Sequence, residues 1–140
     1  MRVVIAKKLL STVGGSETFA RALARELRAT GHDVRLVGMR PAWVRPAMTT
    51  TSNMTLLPVR GGKLGAAIDG LFPTTLVRDD DLRKAVRGAE VVHSIAREWA
   101  SALERAARAE GAAFVETPLV HPGQPFSGDG APDVARYRRD

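Results

Sequence analysis

Three short stretches of this chain carry groups that could handle a ligand. The first is Val13-Gly14-Gly15-Ser16-Glu17, a glycine turn between an apolar run and a helical one. Glycine lets the backbone pass close to a ligand, and the free N–H groups of a helix start suit a phosphate or a sugar hydroxyl. The same residues also read as a tight turn capped by Ser16, with Glu17 answering the helix dipole. Spacing does not separate the two readings. The turn is neither G-x-G-x-x-G nor a P-loop, so the dinucleotide fingerprint is absent. The second stretch is His93-Ser94, at the expected end of a strand. A histidine there can hydrogen-bond a ligand hydroxyl and titrate near neutrality, or be a satisfied structural residue. The third is Thr117-Pro118-Leu119-Val120-His121-Pro122-Gly123. Its prolines stiffen the loop and would hold the His121 imidazole in place, but spacing alone leaves that residue open between chemistry and plain loop structure. His32, in Gly31-His32-Asp33, falls at the opposite edge and reads as structural.

Several kinds of chemistry are absent from the pattern. There is no cysteine, hence no disulfide framework, thiolate nucleophile or thiolate metal site. The histidines do not cluster as metal ligands, so no metal is expected. Glu98 and Glu116 are lone carboxylates, without the pairing that glycoside hydrolysis needs. No Ser-His-Asp constellation can be assigned from order or spacing.

The net charge of +6 admits nucleic acid, an anionic membrane surface or a phosphate-bearing ligand. The basic residues alternate with acids and aromatics make up only 5%, so no tract combines clustered cations with stacking rings, and nucleic-acid binding is not expected. No apolar run approaches the roughly 18 residues of a membrane span. Met1 to Ala6 is too short in its apolar part for a secretory segment. A cytoplasmic setting is expected, with peripheral contact at the inner membrane surface open if an acceptor is a lipid.

These stretches need a frame, and the frame is an alternation of short apolar runs with helical ones. Arg2 to Ala6 is β-branched and apolar, as a buried parallel strand is. From Ser16 to Thr30, Phe19, Ala20, Leu23, Ala24 and Leu27 form one helical face, and Gly31 is placed to stop it. Asp33 to Gly38 is a second strand, which completes a βαβ unit. Met39 to Asn53 reads as loop, Met54 to Val59 as a third strand and Lys63 to Leu71 as a short helix. Asp79-Asp80-Asp81 sets negative charge at the start of a helix over Leu82 to Arg87. Ala89 to His93, Arg97 to Glu110 and Ala112 to Glu116 follow as strand, helix and strand, with Trp99 and Leu103 on the helix's core face. The expected fold is α/β, a Rossmann-like open parallel sheet with helices on both faces and one domain over residues 1–140, expected to be incomplete at its C-terminus. Ligands of such sheets bind beyond the carboxyl ends of the strands, where all three stretches fall.

Gly14-Gly15-Ser16-Glu17, Ala22 to Leu27 and Gly31-His32-Asp33-Val34 resemble the start of the family 4 retaining glycosyltransferases, which have the two-lobed GT-B architecture. Ala89-Glu90-Val91-Val92-His93, and Phe114 to Pro118 with His121-Pro122-Gly123, agree with that family in order and spacing. The resemblance implies transfer of a sugar from a nucleotide-sugar donor to a sugar or lipid acceptor, without a metal or a separate cofactor. It implies that Gly14, Gly15 and Ser16 line the cleft, that His93 lies on the acceptor side, and that His121 approaches the transferred sugar. It further implies a missing C-terminal lobe of the same protein holding the donor, so that this chain alone would not turn over. Two other readings stand beside it: a non-catalytic sugar- or phosphate-binding module, and another Rossmann-like nucleotide-sugar enzyme.

Overall fold

The apolar run Arg2–Ala6 forms β1, and four of its five residues are buried because both faces of the strand are covered. The structure is a computed structural model; it describes residues 1–10, 14–39, 53–60, 64–65, 68, 76–95 and 99–117. Around β1 stand β2 (Asp33–Met39), β3 (Met54–Leu57), β4 (Val91–Ile95) and β5 (Ala113–Thr117). They form one five-stranded sheet in the order β3-β2-β1-β4-β5, every pair parallel. The chain therefore leaves β1 to one side for β2 and β3, then returns to its other side for β4 and β5. The point where the order reverses lies between β1 and β4.

Helix α1 (Gly15–Ala29) covers one face of the sheet. Its Ala20 and Ala24, with Leu23 and Leu27, pack on Val3, Ile5, Val34 and Leu36. Helices α2 (Asp79–Val86) and α3 (Ala100–Ala109) cover the other face. There Leu82, Val86, Trp99 and Leu103 pack on Val4, Val37 and Val92. Full burial of one such aliphatic side chain stabilises the fold by about 1.5–3 kcal/mol. Trp99 and Leu103 are core residues, as their spacing on one helical face implies.

Helix ends follow local chemistry. Thr30 closes α1, and Gly31 follows at φ +86°, a left-handed conformation that glycine adopts without strain. Asp79, Asp80 and Asp81 fill the first turn of α2, where the dipole favours negative charge.

Most elements shift by one to three residues from the sequence reading, and two of the differences have a clear local cause. β4 begins at Val91 rather than Ala89, because Glu90 is spent on a junction with the start of β1. Its N–H donates to the Arg2 carbonyl at 2.8 Å, and its carboxylate accepts from the Arg2 N–H at 2.7 Å. β4 also runs on to Ile95, so His93 is a mid-strand residue. β3 stops at Leu57 because Pro58 has no N–H for the ladder. The helix expected over Lys63 to Leu71 lies largely outside the described residues. Among those described, no helix is long and apolar enough to cross a membrane.

Candidate functional site

The reversal of strand order sets the carboxyl ends of β1 and β4 side by side beneath the start of α1, and open α/β sheets bind their ligands at such a crevice. β1 runs out through Lys7 and Lys8, both only 4% exposed. Burying a lysine is costly unless it is partnered, and Lys7 Nζ lies 3.7 Å from Glu17 Oε1; the backbone of both lysines is tied to β2. The Lys7 N–H donates to the Val37 carbonyl at 2.9 Å, and the Lys8 carbonyl accepts from the Met39 N–H at 2.9 Å. The segment Lys7 to Leu10 thus lies along the carboxyl end of β2. Leu10 is fully buried in the α1-side core, and its carbonyl accepts from the Arg21 side chain of α1.

Gly14 is the N-cap of α1, with extended backbone and no side-chain cap. The Ser16 cap considered from sequence is therefore not formed. Ser16 Oγ instead donates to Glu17 Oε2 at 3.0 Å. Glu17 is buried, with Oε1 3.7 Å from Lys7 Nζ. A Cβ at residue 14 would collide with Glu17 Oε2, so glycine at this position is what lets the carboxylate fold back over the helix start.

His93 shares a face of β4 with Val91 and Ile95, both packed on the α1-side core, by the alternation of side chains along a strand. Its Nε2 lies 2.7 Å from Thr117 Oγ1, the last residue of β5. The ring is half-buried, and loss of hydration pushes its pKa below the usual value of an imidazole. Burial thus favours its neutral form, with Nδ1 the nitrogen that Thr117 does not engage. A neutral imidazole can accept or donate one hydrogen bond to a hydroxyl, or take a proton from it.

Gly14, Gly15, Ser16 and His93 thus share the α1 face near the carboxyl edge of the sheet, with no hydrogen bond between His93 and the glycine turn among the described residues. His121 lies outside the described residues. His32 is at the amino edge, where Nδ1 lies 3.5 Å from the N-terminal amine. The sequence reading placed Lys7 and Thr117 in edge segments but gave neither a role of its own. The signal for Lys7 was a lysine pair placed directly after a strand, where a buried sheet edge needs a reason to hold charge. Thr117 gave no signal short of the β4–β5 register. Elsewhere a polar recess of about 390 Å³ opens at the β3–α2 corner, lined by Arg60, Val77, Arg78, Asp79, Asp80 and Arg105. Arg78–Asp81 and Arg105–Asp79 ion pairs, at 2.9 and 3.8 Å, satisfy much of its charge. No group of three or more potential metal ligands gathers among the described residues.

No protein-family model and no curated protein sequence matches the chain. Among solved structures it is similar to a mutated uronate dehydrogenase, at 13% identity and TM-score 0.50, over 89% of this chain and 42% of that one. It is also similar to a short-chain dehydrogenase/reductase (ethylated) from Veillonella parvula DSM 2008. That match has 16% identity and TM-score 0.46, over 82% of this chain and 45% of that one. The chain spans less than half the length of either.

These findings correct the glycosyltransferase expectation. The solved structure that it matches at TM-score 0.50 is a uronate dehydrogenase, and no family model places the chain among the retaining glycosyltransferases. The physical reason lies in the motif that suggested that family. Gly14-Gly15-Ser16-Glu17 is helix-start chemistry: an extended glycine N-cap and a glutamate at the third helical position turned back over it. Any strand-to-helix junction can use that device, whatever reaction the protein performs. The Rossmann-like fold itself stands.

Proposed function

We propose that this chain is the ligand-binding part of a Rossmann-type enzyme acting on a nucleotide-linked sugar by a reaction other than glycosyl transfer. The observation that supports this best is His93, oriented by Thr117 at 2.7 Å on the α1 side of β4, beside the β1–β4 reversal. A neutral imidazole with one uncommitted nitrogen suits a sugar hydroxyl better than a phosphate, which a cation would bind more strongly. The name of uronate dehydrogenase, a protein of the same fold, points to a carbohydrate-type substrate. In this reading another region of the protein completes the site, and Gly14 to Ser16 and His93 face the hydroxyl-bearing part of the ligand. The setting is cytoplasmic, and the basic balance allows contact with an anionic membrane surface.

NAD in the usual manner of this fold does not fit the residues present. The turn after β1 lacks the glycine fingerprint, and β2 ends in Val37-Gly38-Met39, followed in sequence by Arg40, with no acidic side chain for the 2′-hydroxyl of a ribose.

Calorimetric titration of the protein with a uridine-diphosphate sugar, and with free uridine diphosphate, tests the proposal. The nucleotide sugar should bind more tightly than the diphosphate, and His93→Ala should weaken it by about 2–10-fold, the loss of one hydrogen bond. Equal affinity for the two ligands, or a His93→Ala variant indistinguishable from the parent, would sink it.

A further inference from the structure

A dinucleotide in this fold sets its pyrophosphate against the first turn of the helix after β1, and its ribose against the end of β2. Here the chain itself occupies both seats. At the first, Glu17 is 6% exposed and turned back over Gly14, with Ser16 Oγ at 3.0 Å and Lys7 Nζ at 3.7 Å. A carboxylate therefore already lies over Gly14 at the start of α1, where the helix dipole favours an anion. A phosphate arriving there would meet a like charge in a place shielded from water, with the nearby Lys7 already facing that carboxylate. At the second seat, Leu10 and the Lys7 carbonyl lie 3.1 and 3.0 Å from the position a Cβ on Gly38 would take. The end of β2 is covered.

We infer that Glu17 is a specificity-determining residue that excludes phosphate from the start of α1. The chain therefore does not take a dinucleotide in the manner of its fold. Resting on the proposed function, the inference also fixes the ligand's direction: a nucleotide sugar enters with its hydroxyl-bearing end toward α1 and its diphosphate turned away.

The test follows the backbone amide resonances of Gly14 to Thr18 while inorganic phosphate, and separately NAD⁺, is added. The parent protein should show no saturable shift of these resonances at millimolar ligand. Glu17→Gln keeps the side-chain shape and the Lys7 charge but removes the competing anion. Its apparent phosphate affinity at these amides should rise at least about tenfold. Removing one partner of a buried ion pair can unfold a protein. The double variant Lys7→Met/Glu17→Gln removes both members of that pair, and it too should admit phosphate where the parent does not. Saturable phosphate or NAD⁺ binding at Gly14 to Thr18 of the parent overturns the inference, as does the absence of any gain in the folded variants. The outcome is separable from the proposed function, which is read on His93 with a nucleotide sugar. Loss of that binding with phosphate exclusion intact would remove the claim about ligand direction and leave Glu17 as the excluding group.

Discussion

Gly38→Ala puts the coverage of the β2 end to a direct test. A methyl there would lie 3.0 Å from the Lys7 carbonyl oxygen and 3.1 Å from both Cβ and Cδ1 of Leu10. None of these neighbours can easily give way. Lys7 is tied by its own N–H to the Val37 carbonyl at 2.9 Å, and Leu10 is fully buried. Forcing a methyl into such packing costs about 1–3 kcal/mol. Gly38 is not among the glycines with positive φ, so alanine also restricts the unfolded chain, a gain of about 0.4–1 kcal/mol. The net expectation is a loss of about 1–2 kcal/mol, which lowers Tm by about 3–10 °C. Differential scanning calorimetry reads the shift. Gly15→Ala is the control, since its Cβ would meet nothing within 4 Å and the residue is already helical; its Tm should stay level or rise. If Gly38→Ala melts at or above the parent, Lys7 to Leu10 does not press on β2. The argument that this segment fills the ribose seat then fails.

Two further outcomes follow from the packing and from His93. Leu103→Ala empties a fully buried position between α3 and the sheet and should cost about 2–5 kcal/mol in urea denaturation; a loss below about 1 kcal/mol would place Leu103 outside the core. Burial lowers the His93 pKa in the folded state, so the unfolded chain binds the proton more readily. This contribution to stability is complete above the unfolded value of about 6.5 and is lost as pH falls from there through the folded value. His93→Gln should flatten that part of the stability–pH curve. An unchanged curve would show that another group carries the dependence.

The sheet was legible because its strands are continuous apolar runs and α1 has a single apolar face, patterns that follow directly from burial on both sides of a parallel sheet. Glu90 shows where such reading stops. Nothing in Ala89-Glu90-Val91 reveals that the glutamate's N–H and carboxylate engage the backbone of Arg2, because that contact joins residues 88 positions apart. The site was half legible for the same reason. Glycines before a helix and a histidine in a strand can be found along the chain, whereas the partners that define their chemistry come from elsewhere. Lys7 reaches Glu17 across a loop, and Thr117 reaches His93 across a strand pair. The family assignment failed on that distinction, since the matching residues were ones whose local structural use alone explains them.

The most direct measurement is an isotope-filtered nuclear Overhauser experiment between the His93 ring protons and a saturating uridine-diphosphate sugar. Contacts from the His93 ring to the sugar protons, with none from the uridine to the amides of Gly14 to Glu17, are the expected result. A ligand that binds without touching His93, or that lays its nucleotide along the start of α1, would contradict the account.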